Sequence, residues 1–325
     1  MVPTIIVAGP TCSGKSALAL HLARRLDGLI INADSMQVYR ELRVVTARPT
    51  VEDEAQAPHV LYGVRPAAEP GSVAWWRSEA LAAIAAARAA GRVPILCGGT
   101  GMYLASLTQG IAAIPEPSAD ARAEARALYD ELGAEAMHAR LAALDPATAS
   151  GLRPSDGQRI TRAWEVLRST GVPLATWQSR AVLPAEERYR LILLDPPRPA
   201  LRAAIAGRFG GMLALGAVEE VRAFLDQGLD PTLPAMRAHG VWELAAFLRG
   251  EYSLVEAERR AVLATGQYTK RQATWFRNRS PVRSEDTHMI HARFAGPEQF
   301  SEREWTVIES FIRRGAEPGA GGPAA

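Results

Sequence analysis

Residues Gly9-Pro10-Thr11-Cys12-Ser13-Gly14-Lys15-Ser16 carry the spacing G-x-x-x-x-G-K-[ST]. Glycines at these places let a backbone wrap closely around a phosphate. Successive N–H groups and a helix start then supply a positive cradle. Lys15 would reach the terminal phosphate and the Ser16 hydroxyl would bind Mg²⁺. The chain has only two lysines, Lys15 and Lys270, so a lysine at this position is hard to assign to chance. The loop implies a phosphate and leaves the reaction open.

Two further segments lie where an open α/β sheet holds its ligands, just past strand ends. In Asp34-Ser35-Met36-Gln37-Val38-Tyr39-Arg40 the aspartate suits three tasks: binding Mg²⁺, orienting a hydroxyl, or acting as a general base. Equally, Asp34 or Ser35 suits an N-cap of a following helix. Gly98-Gly99-Thr100-Gly101-Met102-Tyr103 has three glycines, which imply a close backbone approach; a plain strand-to-helix turn accounts for one or two of them.

The elements that position these segments alternate. Pro3 to Ala8 and Gly28 to Asn32 are short β-branched runs that read as buried strands. Lys15 to Leu26 has helical spacing, Val73 to Ala90 is a long alanine-rich helix, and Val93 to Cys97 is a third strand. This rhythm predicts an α/β fold: a P-loop-type parallel sheet flanked by helices. It breaks at Ile114-Pro115-Glu116-Pro117, beyond which the pattern is helical to about Arg180; strand character returns at Arg188 to Leu194. The expected organisation is a core over 1–114, an all-helical insertion over 115–187, a second core part over 188–314 with one strand followed by helices, and a disordered tail over 315–325.

Composition bounds the function class. With 37 basic against 35 acidic residues the net charge is +2, which excludes a uniformly polycationic chain. Two cysteines, Cys12 and Cys97, exclude a disulfide framework and a cysteine-built zinc site. No apolar run reaches the eighteen residues of a membrane span, and the apolar start enters the glycine loop without a basic leader. The expectation is a soluble, cytoplasmic monomer.

Taken together and in order, GPTCSGKS at 9–16, INADSMQVYR at 31–40, TARP at 46–49 and CGGTGMY at 97–103 closely resemble the tRNA dimethylallyltransferase family. The resemblance continues through Ser155 to Ala163 (SDGQRITRA), Arg208 to Leu213, Leu233 to Gly240 and Tyr268 to Arg277, nearly everything from residue 4 to about 280. Departures are few: Val45 and Arg48 stand where the family has glycine and lysine, Gly266 where it has arginine, and Thr269 where alanine is common.

The resemblance implies transfer of a dimethylallyl group from dimethylallyl diphosphate to N6 of adenosine 37, beside the tRNA anticodon. Asp34 becomes the general base, and Thr100 a residue contacting the acceptor nucleotide. Gly9, Pro10, Thr11, Cys12, Ser13, Gly14, Lys15 and Ser16 hold the diphosphate leaving group with Mg²⁺, with Arg208 on the same side. Ser35, Met36 and Gln37 join Asp34 and Thr100 as tRNA contacts, together with Arg122, Gln158, Arg159, Ile160, Thr161 and Arg162 in the insertion. By helical spacing alone, Ile160, Trp164 and Leu167 form an apolar stripe, and Gln158, Arg159 and Arg162 lie off it. A solvated helix face is the plain alternative for these arginines.

From Val255 to Arg283, seven basic residues face two acidic ones, with Tyr268, Trp275 and Phe276 among them, a pattern of RNA contact. The two neighbouring aromatics also suit a core. His239 reads as structural, because no second metal-type ligand is near it in sequence. Three other functions share parts of the pattern: a small-molecule P-loop kinase, an isopentenyltransferase acting on free adenine nucleotides, and a non-catalytic RNA-binding protein. The intact Gly14-Lys15-Ser16 with Asp34 argues against the last, and the Gln158-Arg159-x-x-Arg162 segment against the first two.

Overall fold

A computed structural model describes residues 2–180 and 184–314. The 315–325 tail lies outside the described residues. The chain forms two compact units, one of residues 1–108 and 185–325 and one of Gln109–Pro184.

The larger unit begins with β1 (Thr4–Ala8), α1 (Lys15–Leu26), β2 (Gly28–Asn32), α2 (Val51–Gln56), β3 (His59–Val60), α3 (Val73–Ala89), β4 (Val93–Gly98) and α4 (Gly101–Thr108). In the smaller unit lie α5 (Ala119–Leu144), α6 (Pro146–Ser150), α7 (Gly157–Thr170) and α8 (Leu174–Ser179). The larger unit resumes with β5 (Tyr189–Leu194), α9 (Arg198–Ala214), α10 (Ala217–Leu225), α11 (Val241–Leu248), α12 (Leu254–Asn278), β6 (Thr287–Ile290) and α13 (Glu302–Arg313).

The six strands form one parallel sheet in the order β3-β2-β4-β1-β5-β6. The expected parallel α/β sheet is therefore present, with two more strands than the sequence reading gave. β3 has two residues, too few to show a period. β6 (THMI) is half exposed and lies at the sheet edge, so it lacks the apolar run of a central strand. The segment after residue 188 accordingly has two strands, a correction to the single strand expected there.

Alternation along the strands divides the core. Ile6, Ala8, Ile31, Leu96 and Leu191 face one side, where Trp76, Phe209, Phe224 and Phe276 from the helices cover them. Ile5, Val7, Ile30, Ile95 and Ile192 face the other, against Leu18 and Leu22 of α1 and Trp305, Ile308 and Phe311 of α13. A parallel sheet covered on both faces forces loops at strand ends to be the exposed, ligand-facing parts.

The smaller unit has its own core, in which Met137, Leu141, Ile160, Ala163, Trp164 and Val166 are buried. Within α5 the backbone leaves helical geometry at Gly133, with φ 72° and ψ 178°, so this element is two helices joined at a break.

Candidate active site

Strands β2, β4 and β1 are adjacent, so the three segments singled out in the sequence emerge side by side from their carboxyl ends. The Ala33 N–H donates to the Cys97 carbonyl at 2.8 Å, and the Thr100 N–H to the Ala33 carbonyl at 3.2 Å. The glycines of the 98–101 turn permit close protein contact: a Cβ on Gly98 would lie 2.0 Å from the Ala33 oxygen, and one on Gly101 2.3 Å from the Trp275 ring.

No helix follows Asp34, so the capping alternative fails. Asp34 instead closes a tight turn, its Oδ1 accepting the Met36 N–H at 3.0 Å. The turn is held by fully buried Asn32: Oδ1 accepts the Asp34 N–H at 2.8 Å, and Nδ2 donates to the Asp34 and Leu61 carbonyls at 3.0 Å each. Trp76 Nε1 in turn donates to the Asn32 carbonyl at 2.7 Å. Thr100 Oγ1 accepts the Ser35 N–H at 3.0 Å and lies 3.3 Å from Ser35 Oγ. Asp34, Ser35 and Thr100 are thus one hydrogen-bonded group, with the Asp34 carboxylate half-buried. Met36 packs partly into the core, and Gln37 Nε2 donates to the Thr46 and Ala47 carbonyls at 2.9 Å, which commits its amide donors within the fold.

The 9–16 loop joins β1 to α1 with Gly14 at φ 92° and Cys12 also left-handed at φ 65°. Pro10 provides a carbonyl that accepts the Ser13 N–H at 3.2 Å and faces Lys15 Nζ at 3.5 Å. Ser13 Oγ is buried without a partner inside the loop. Lys15, Ser16 and Arg208 of α9 line one cleft of about 480 Å³. The sequence therefore named three groups that do meet in space.

Gln272 on α12 is the connection that sequence reasoning missed. It is buried; its Oε1 accepts the Thr11 N–H at 2.9 Å while Nε2 donates to the Gly99 carbonyl at 3.0 Å. One amide thereby ties the phosphate loop to the Gly99 turn. Arg277, one helical turn on, makes a two-pronged pair with Asp195 at the end of β5, at 2.9–3.1 Å. Tyr268, one turn before Gln272, interacts with the Thr100 and Gln272 side chains; burial, with the Asp34 charge second, pushes its phenol well above the usual range.

His239 packs its ring on Tyr268 at 4.6 Å between centroids. Burial and the Arg271 charge lower its pKa, while Asp34 acts in the opposite direction. Its structural reading holds as packing, but the residue also lies in the electrostatic field of the site. Burial pushes the Cys97 thiol up to about 11, so it stays protonated beside Ser16 and Tyr62.

The basic stretch is mostly α12. Lys270, Arg271 and Gln267 are exposed, and with Trp275 and Asn278 they line an open hollow of about 570 Å³. Phe276 is buried in the core, and Trp275 is half-buried. Two of the family departures, Arg48 and Val45, lie in segments held by defined hydrogen bonds. Arg48 spends its guanidinium on the Tyr39 and Arg40 carbonyls, at 3.4 and 3.2 Å, packed over Gly63. The N–H groups of Arg43, Val44 and Val45 converge on the Glu220 carboxylate at 2.7–2.9 Å.

In the smaller unit, Asp156 caps α7, and Gln158 and Arg159 are exposed. Arg162 is half-exposed and pairs with Glu165 at 3.6 Å, while Arg159 pairs with Asp156 at 3.4 Å. Ile160 is fully buried, which removes it from the RNA-contacting set. An apolar side chain on the stripe of its helix belongs to the core. Thr161 is half-buried with Oγ1 near Met137 Sδ, and Arg122 sits inside the first turn of α5, paired with Glu116 at 3.3 Å.

Among the described residues no three carboxylate, imidazole or thiol groups gather to hold a metal ion. Mg²⁺ bound with a substrate phosphate keeps most of its oxygens from water and phosphate. The exposed Ser16 hydroxyl at the start of α1, inside the cleft, fits that requirement. No single helix among the described residues is long and apolar enough to cross a membrane.

The IPP transferase family model matches residues 37–279 of the chain. The chain belongs to the IPP transferase family. A family relative, the tRNA dimethylallyltransferase of Gluconobacter oxydans (strain 621H), is 60% identical over 309 residues, 95% of this chain and 93% of that one. That of Granulibacter bethesdensis is 57% identical over 310 residues, 95% and 97% of the two chains. The crystal structure of the full-length tRNA isopentenylpyrophosphate transferase of Bacillus halodurans is similar at a TM-score of 0.68 and 28% identity, covering 97% of this chain and 98% of that one. A eukaryotic dimethylallyltransferase acting on tRNA shares the fold at a TM-score of 0.77 and 23% identity, over 96% and 79%. Members of the IPP transferase family are prenyltransferases, and this chain is one.

Proposed function

We propose that the chain transfers the dimethylallyl group of dimethylallyl diphosphate to N6 of adenosine 37 in tRNA, with Asp34 as general base and the 9–16 loop as the diphosphate site. The observation that carries this reading is the grouping of the Asp34–Ser35–Thr100 turn beside the phosphate loop, linked to it through Gln272.

The N6 lone pair of adenine is delocalised into the ring, so it is a weak nucleophile. As it bonds to the allylic carbon, the carbon–oxygen bond to diphosphate breaks and an N6 proton must leave. The Asp34 carboxylate accepts that proton. It is aimed by the Met36 N–H and by the Asn32 clamp, so little motion is needed. Thr100 Oγ1, bonded to the Ser35 N–H beside Asp34, orients the acceptor base in this reading. Lys15, Arg208 and the loop N–H groups stabilise charge that grows on the departing diphosphate. Mg²⁺ held by Ser16 and the diphosphate would share that stabilisation. All these groups come from one chain, consistent with action as a monomer.

The target base must leave the anticodon-loop stack to reach such a site. Gln158, Arg159, Thr161 and Arg162 on α7, Arg122 on α5, and Ser35, Met36 and Gln37 beside Asp34 are the proposed tRNA contacts. Of these, Arg122, Gln158 and Arg159 are exposed, as phosphate or base contact requires.

Labelled dimethylallyl diphosphate offered with undermodified tRNA, AMP or ATP tests the reading. Label is expected on tRNA only. Label on AMP would make the chain a nucleotide isopentenyltransferase, and phosphoryl transfer from ATP without prenylation would make it a kinase.

A further inference from the structure

Beyond β6 the chain turns back across the phosphate loop. The Phe294 N–H donates to the Ser13 carbonyl at 2.9 Å, and Arg293 Nε donates to the Cys12 carbonyl at 2.9 Å. The approach is close enough that a Cβ on Gly14 would lie 2.0 Å from the Phe294 oxygen. Residues 293–294 and the loop 12–14 are therefore locked together by two hydrogen bonds and one glycine contact. The lock sets where the Arg293 side chain points: it lines the same cleft as Lys15, Ser16 and Arg208.

Fixing Nε on a backbone carbonyl leaves the two terminal amino groups of the guanidinium. No carboxylate among the described residues pairs with them within 4.0 Å. An exposed arginine whose Nε is fixed on the loop and whose terminal donors are unused is matched to an anion that can take a planar, two-pronged contact. The loop it is bonded to also holds a buried Ser13 hydroxyl without a protein partner.

We propose that Arg293 is a diphosphate ligand, a third side-chain cation beside Lys15 and Arg208 that holds the leaving group from the side of the cleft opened by the β6 segment. The proposal rests on the reading of the loop as the donor diphosphate site. It assigns a binding role to a residue past the end of the family-model match at 279. During transfer, negative charge accumulates on the bridging oxygen as the carbon–oxygen bond breaks. A cation fixed to the loop itself stabilises that charge without first having to reorganise.

The test is calorimetric titration of the full chain with inorganic pyrophosphate and Mg²⁺, comparing the wild type with Arg293→Ala, Arg293→Gln, Arg293→Lys and Lys15→Ala. Losing one charge-assisted contact should weaken pyrophosphate binding roughly 10- to 100-fold in the Ala and Gln variants. Arg293→Lys should recover part of that, since it restores charge but not the fork. The Gln variant keeps a donor for the Cys12 carbonyl and so separates charge from loop integrity. If Gln binds like wild type while Ala is weakened, Arg293 only braces the loop and the proposal is overturned. It is equally overturned if both bind within about twofold of wild type while Lys15→Ala is weakened, which leaves the phosphate site intact. Should Lys15→Ala also bind normally, the donor-site reading itself fails.

Discussion

Asn32 grips Asp34 at both ends of its residue, accepting the Asp34 N–H at 2.8 Å and donating to the Asp34 carbonyl at 3.0 Å. Asn32 is the last residue of β2 and fully buried, so the geometry of the sheet is passed directly to the proposed base. Replacing Asn32 with Ala removes the Asn32 partner of the Asp34 N–H and of the Asp34 and Leu61 carbonyls. The expected cost is about 1–3 kcal/mol of folding stability, read from urea unfolding. Turnover should fall while pyrophosphate affinity stays near wild type. Unchanged turnover in a folded Asn32→Ala protein would separate the turn from catalysis.

Gln272 carries a different load, since its amide joins Thr11 in one loop to Gly99 in another. Gln272→Leu fills similar space but satisfies neither backbone group. Both donor affinity and turnover should drop, with stability lower by about 1–3 kcal/mol for each buried group left unpaired. Gln272→Glu keeps the acceptor for Thr11 and loses the donor to Gly99. It should therefore lie between wild type and the Leu variant in pyrophosphate titration; a Glu variant worse than Leu would refute this division of labour.

Among the described residues, Arg159 and Arg162 each form a surface ion pair with a neighbour on or beside their own helix, Asp156 and Glu165. Such pairs contribute about 0–1 kcal/mol, so the double alanine variant should fold normally. Its KM for tRNA should rise, and the salt dependence of tRNA binding should flatten by about one to two phosphate contacts. Ile160→Ala, one position away but fully buried, should instead destabilise the smaller unit by about 2–5 kcal/mol. Opposite results for the two variants would invert the assignment of this helix face.

Burial is the largest cause lowering the pKa of His21, His239 and His288. Their folded values lie below the unfolded value of about 6.5. As pH falls through about 6.5 the unfolded chain takes up protons before the folded one, so stability declines on acidification and levels off below the folded values. Urea midpoints at pH 7.5 and 5.5 should therefore differ less in His239→Gln than in the wild type. An equal difference would mean that His239 is not held neutral by the fold. The carboxylates of Glu52, Glu251, Glu256 and Glu304 are shifted below 4.5 and act in a more acidic window.

The phosphate loop, the Asp34 turn and the Thr100 turn were legible because each is a short run whose residue types are dictated by local backbone chemistry. The central strands were legible for a related reason: burial on both faces leaves an unbroken apolar run. Gln272 and Asn32 were not, because a buried amide in sequence looks the same whether it faces solvent or bridges two loops. Arg293 is one of many arginines, and only the return of the chain after an edge strand too short and polar to read brings it to the loop. Ile160 shows the converse: the resemblance placed it with the RNA contacts, while its own helical spacing already placed it in the core.

The central claim is that Asp34 takes the N6 proton at a site where the donor is held independently by the loop. Single-turnover transfer from dimethylallyl diphosphate to tRNA, with both substrates saturating, measures this step alone in Asp34→Ala. The account predicts a rate lower by about 10²–10⁴-fold, with pyrophosphate affinity near that of the wild type. A loss of less than about tenfold would contradict it, leaving Asp34 as the closing residue of a turn and placing the base elsewhere.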